Sequence, residues 1–196
     1  MKIIVYLLLI SFPFLIKAQT GKIATMAPIL NSGYYVNFRG DTIYGEIQIN
    51  PSDKFDIYKQ FSFKTKRSKK MKLLNPQKAL AYGFDNRHFV KVGVNSYDLH
   101  YIERLVTGRI NFYELKVNEI TNSFSSGVSY YYINDNGASD PALRDPKKIS
   151  KKFYKKNLKS YMIDKPTIWS SLDKYNFNKR IIIAAMIEFN KSYNQY

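Results

Sequence analysis

Between Gly33 and Gly137 the chain alternates apolar and polar residues in short runs, each closed by turn residues, and no other feature restricts the fold as much. Successive side chains of a strand point to opposite faces, so period-two runs are the mark of half-buried strands. Val36 and Phe38 point one way, and Tyr35, Asn37 and Arg39 the other. Past Gly40-Asp41, Ile43, Gly45, Ile47 and Ile49 take one side and Tyr44, Glu46 and Gln48 the opposite one, which predicts a hairpin. Phe55, Ile57, Phe61 and Phe63 share a second such face, broken at Lys59. Leu80, Tyr82 and Phe84 lead into an Asp85-Asn86 turn and a return strand from Phe89 to Val94. Leu99 to Val106 and Ile110 to Val117 flank a Thr107-Gly108 turn. Asn122 to Gly127 reads as a polar loop, and Tyr130 to Ile133 as a short aromatic strand ending at Asn136-Gly137.

The period changes at Ser139-Asp140-Pro141. Ile149, Phe153, Tyr154, Leu158, Tyr161 and Met162 recur at helical spacing among lysines. Asp164 is placed to cap a second helix with Pro166 in its first turn, burying Ile168, Trp169 and Leu172. Asn178 is placed to cap a third, from Lys179 to about Tyr193, with Ile182, Ala185, Met186 and Phe189 as its apolar stripe. The expected fold is α+β. An antiparallel β-barrel or sandwich-like body spans residues 33–138, with a loose lead-in over 19–32. A C-terminal three-helix tail over 139–196 packs on that body, because helices this short rarely stand alone.

Residues 1–18 read as a signal peptide: Met1-Lys2, an apolar run from Ile3 to Ile16, then Lys17-Ala18. The run is shorter than the ~20 residues a spanning helix needs, and Pro13 interrupts it. An exported protein of the periplasm or the extracellular or outer-membrane surface is expected, with 178 residues left after cleavage and no transmembrane segment in them. The chain has no cysteine, so burial and hydrogen bonds must replace the disulfides common in small exported proteins. Its formal charge is +16, or +14 once Lys2 and Lys17 leave with the leader. Such a charge predicts association with an anionic envelope surface (lipid, lipopolysaccharide or acidic glycan) or with an envelope protein. Nucleic acid is not expected as a partner, because no stacking-aromatic signature accompanies the charge.

The basic run Lys64, Lys66, Arg67, Lys69, Lys70 and Lys72 is the candidate anion-binding element. The 17 tyrosines and 13 phenylalanines suit a β core with wet hydroxyls, or a platform for sugar rings. His88 and His100 have no metal-ligand spacing, and neither a nucleophile elbow nor a phosphate loop is present, so no cofactor, metal or catalytic residue is assigned. Asp41, Glu46, Asp85, Glu103, Glu114 and Glu119 are carboxylates in number only. Glu103 and Glu114 flank one predicted hairpin, with Arg104 or Arg109 as salt-bridge partners. Arg39-Gly40-Asp41 matches the cell-adhesion tripeptide, but Gly-Asp at a hairpin tip is turn chemistry.

Gly40-Asp41-Thr42-Ile43-Tyr44-Gly45-Glu46-Ile47 resembles the "GDTI-x-G-x-I" hairpin of a family of exported Bacteroidetes proteins. Leu105-Val106-Thr107-Gly108-Arg109-Ile110-Asn111-Phe112-Tyr113-Glu114 is similar to their "L-V-x-G-K-x-N-L-Y" strand-turn-strand, and Tyr131 to Gly137 to the strand before their helical tail. Phe153, Leu158, Tyr161, Asp164, Pro166 and Phe189-Asn190 fit that tail. The resemblance implies export and a β-rich body closed by short helices, and it carries no catalytic site. The chain departs from the family in its basic stretch after Phe63. Together these features predict a non-enzymatic envelope-associated binding or structural protein with a basic aromatic surface. The alternatives are a small-molecule or glycan binder with a pocket between body and tail, and a carboxylate-dependent hydrolase.

Overall fold

The computed structural model describes residues 28–68, 70–93, 98–121, 124–135, 142–143 and 146–193. Residues 1–18, read above as a signal peptide, and the Ser139-Asp140-Pro141 boundary lie outside them. The strands are β1 (Ile29–Val36), β2 (Thr42–Ile49), β3 (Phe61–Lys64), β4 (Lys72–Leu74), β5 (Ala81–Phe84), β6 (Arg87–Gly93), β7 (Leu99–Val106), β8 (Asn111–Thr121), β9 (Phe124–Asn134), β10 (Ala142–Leu143) and β11 (Lys147–Ile149). Ten form an antiparallel sheet in the order β11-β9-β8-β7-β6-β5-β1-β2-β3-β4, and β10 adds to β6 in parallel. The helices α1 (Tyr154–Met162), α2 (Pro166–Asp173) and α3 (Lys179–Lys191) follow. The fold is α+β as expected.

The sheet is open and does not close into a barrel. Its end strands, β11 and β4, are three residues each and lie at opposite ends of the strand order. Two separate coverings replace closure. At one end β1–β4 curl over, so that Phe61 stacks on Tyr82 at 4.1 Å and meets Tyr101 at 5.8 Å. The bend runs through paired glycines Gly33 and Gly45. A Cβ on Gly45 would lie 2.2 Å from the Lys64 carbonyl oxygen, and one on Gly33 2.5 Å from that of Gly83, so only glycine permits these approaches. At the other end α1–α3 cover Phe112, Tyr131, Ile133 and Ile149 with Leu158, Met162, Ile182, Met186 and Phe189.

Several elements differ from their sequence reading. Asn37-Phe38-Arg39 belongs to the β1–β2 turn and not to a strand, because the Asn37 carboxamide accepts the Arg39 and Asp41 N–H groups; Phe38 is exposed. Residues Asp56–Tyr58 form a 3-10 helix in place of an extended run. Part of the expected polar loop, including Gly127, lies in β9, whose Asn118↔Gly127 and Glu119↔Ser126 pairs have no hydrophobic alternation to betray them. Ile149 sits in β11, paired with Tyr131, and not on a helix. Lys165, not Asp164, occupies the N-cap of α2. Asn178 caps α3 as expected, accepting from Arg180 and Ile181 N–H.

Asn190 fastens the tail to the body. Its Oδ1 accepts the Ile110 N–H at 2.9 Å and its Nδ2 donates to the Ile110 carbonyl at 2.8 Å. Gly108 leaves room for it, since a Cβ there would sit 2.4 Å from Asn190 Cγ. Asn190→Ala strands both backbone groups of the buried Ile110, and is expected to lower stability by about 3 kcal/mol in urea unfolding.

Candidate functional site

Five of the six basic residues of the sequence reading, Lys64, Lys66, Arg67, Lys70 and Lys72, fall on the β3–β4 hairpin. Thr65 begins its turn, its carbonyl and hydroxyl accepting the Ser68 N–H at 3.1 and 3.2 Å. The Ser68 hydroxyl then binds across Lys70, accepting its N–H at 3.3 Å and donating to its carbonyl at 3.2 Å. This pinned turn brings Lys64, Lys70 and Lys72, with the Thr65 and Ser68 side chains, around a cleft of about 50 Å³ floored by Tyr35, Phe63 and Leu74. Lys64 is shared, its Nζ lying 2.8 Å from Glu46. Lys66 and Arg67 are exposed at the turn, and Lys69 lies outside the described residues. The cleft is sized for one small anionic group.

A second basic surface lies on β9 and β11, at the opposite end of the strand order. Lys148 sits 3.8 Å over the Tyr130 ring, Lys151 within 6.0 Å of Tyr131 and Phe177, and Lys147 5.4 Å over Tyr161. A groove of about 420 Å³ runs along Val128 to Tyr130 and Lys148 to Lys151, where the body meets the tail. Cation–π contact holds these ammonium groups over rings while leaving them hydrated.

The two carboxylates singled out in the sequence do come together. Glu103 and Glu114 are direct partners across β7 and β8 and therefore share a face. Their cations are not Arg104 or Arg109. Arg87 grips Glu103 with two bonds, Nε at 2.7 Å and Nη2 at 2.8 Å, and the Tyr58 hydroxyl donates to the same carboxylate at 3.2 Å. Lys179 of α3 donates to Glu114 at 3.0 Å, with Lys116 at 3.6 Å. Burial alone pushes the Glu114 pKa up, but the Lys179 and Ser129 hydrogen bonds and the Lys116 charge outweigh it, and the net shift is downward. A general acid needs the reverse shift. Arg109 instead lies 4.0 Å over the Tyr193 ring.

His88 lies beside the Asp85-Asn86 turn, where both residues have positive φ as a tight hairpin requires. Its Nδ1 meets the Tyr34 hydroxyl at 2.5 Å. His100 Nε2 lies 2.8 Å from Asp98. Among the described residues no three His, Cys, Asp or Glu side chains converge as metal ligands. Arg39-Gly40-Asp41 is exposed, its backbone held by Asn37. Comparison with family models, curated proteins and solved structures finds no match for this chain.

Burial, followed by the Arg104 charge, pushes the His88 pKa from 6.5 down to about 4. The unfolded chain therefore takes up this proton first as the pH falls. The stability that neutral His88 contributes is complete above pH 6.5 and lost progressively down to pH 4. His88→Gln should remove up to about 3 kcal/mol of that acid sensitivity, seen by comparing urea unfolding at neutral and mildly acidic pH.

Proposed function

We propose that this is an exported, non-enzymatic, envelope-associated binding protein that holds an anionic headgroup in the β3–β4 cleft. One observation carries the reading: Lys64, Lys70 and Lys72 line a single small cleft together with Thr65 and Ser68. Lys70 and Lys72, with Lys64 shared with Glu46, give the cleft the positive charge that suits a phosphate or carboxylate. The exposed Lys66 and Arg67 extend the positive field around it. The apolar N-terminal run with its Lys17-Ala18 boundary supports export, and the net charge supports an anionic surface as the partner. No helix among the described residues is long and apolar enough to cross a membrane.

The groove along β9 and β11 favours a second reading, a glycan or small-molecule binder. The Tyr130 ring, with Lys148 and Lys151, lines it where the body leads into the tail, the place a pocket is expected.

Vesicle co-sedimentation distinguishes the two. The protein should bind vesicles containing phosphatidylglycerol and not purely phosphatidylcholine vesicles, and release as salt rises. Lys70→Ala with Lys72→Ala should weaken binding about tenfold or more, each lysine near an anionic surface being worth about 1 kcal/mol. Binding unchanged by that pair but abolished by Lys148→Ala with Lys151→Ala would move the site to the groove.

A further inference from the structure

β7 and β8 pair only between Glu103–Val106 and Phe112–Glu114. Beyond Glu103 and Glu114 the strands part, and the 3-10 helix lies against both. A cleft of about 270 Å³ opens beside it. Ile49, Ile57 and Tyr58 form an apolar wall, and three cations from three different elements meet at the cleft: Lys54 from the β2–β3 connection, Arg87 from β6 and Lys116 from β8.

The three are not equally committed elsewhere. Arg87 is held rigidly, with Nε and Nη2 on Glu103 and its guanidinium over the Phe84 and Phe89 rings at 5.4 and 4.8 Å. Its Nη1 takes no part in that pair. Glu114 already accepts the closer Lys179, which leaves Lys116, at 3.6 Å, the looser partner. Lys54 has no carboxylate within ion-pair distance among the described residues. The nearby acids serve their own loop: Asp53 accepts the Phe55 N–H, and Asp56 accepts the Gln60 side-chain amide. The cleft lining thus holds three cations and no carboxylate, with Arg87 and Lys116 paired behind it to Glu103 and Glu114.

We propose that this cleft binds a small organic carboxylate, with an apolar or aromatic body against Ile57 and Tyr58 and its headgroup among Lys54, Arg87 and Lys116. An apolar wall with a few convergent polar groups is the common form of a small-molecule site. A planar carboxylate suits the fixed guanidinium. The site is separate from the β3–β4 cleft and does not depend on the role proposed for it.

The full chain titrated with 2-naphthoate in a calorimeter, with 2-naphthamide as the neutral control, tests the proposal. Saturable binding is expected for the carboxylate and at least about tenfold weaker binding for the amide. Lys54→Ala with Lys116→Ala should weaken naphthoate at least about tenfold in a chain that circular dichroism shows still folded at the titration temperature, while Lys70→Ala with Lys72→Ala should leave it unaltered. No saturable binding, equal affinity for the amide, or indifference to the Lys54 and Lys116 changes would overturn it.

Discussion

Two like charges placed opposite each other on neighbouring strands destabilise a sheet, yet Glu103 and Glu114 occupy that arrangement in the interior of this one. The arrangement holds because cations approach from both sides. Arg87 and Tyr58 come from the side of the curled β1–β6 core, and Lys179 comes from the helical tail. The acidic pair is therefore a seam between two hydrophobic clusters. Replacing a buried ion pair with apolar residues is often neutral, whereas removing one partner is costly. The seam thus serves to set register, since a slip of β8 by one residue would leave Glu103, Arg87, Glu114 and Lys179 all unmatched.

This arrangement also decides where ligands can be held. The seam ties up Glu103 and Glu114, so the carboxylates are structural anchors. Their fixed cations nonetheless present outward edges: Arg87 and Lys116 reach the cleft beside the 3-10 helix. The freer basic groups lie away from the seam, on the β3–β4 turn and along β11. A strongly positive protein is thus divided into interior ion pairs and separate exposed basic surfaces.

Much of the fold was legible because its signals are local. The Asp85-Asn86 turn, the β1–β2 alternation, the Asn178 cap and the apolar stripe of α3 each follow from residues within one turn or one strand. What sequence reasoning missed depends on distant partners. Ile149 reads as helical by spacing, and only its pairing with Tyr131 makes it a strand residue. Gly127 reads as loop, though it is the one residue in β9 small enough to lie under the Phe55 ring. The Glu103–Glu114 meeting was visible as a hairpin pair, but the choice of Arg87 and Lys179 over Arg104 and Arg109 needs the tertiary fold. Asn190 carried no sequence signal beyond its place in the tail. For the basic run, the sequence held the charges, and the Thr65–Ser68 turn that gathers three of them appears only in three dimensions.

Native-state hydrogen exchange tests the central claim, that seam and Asn190 join body and tail into one cooperative unit. Core amides of β5–β7 and of α3 should exchange with the same free energy, through global unfolding alone. If α3 amides exchange through a lower-energy opening while β5–β7 stay protected, the tail is a separate appendage and the account fails.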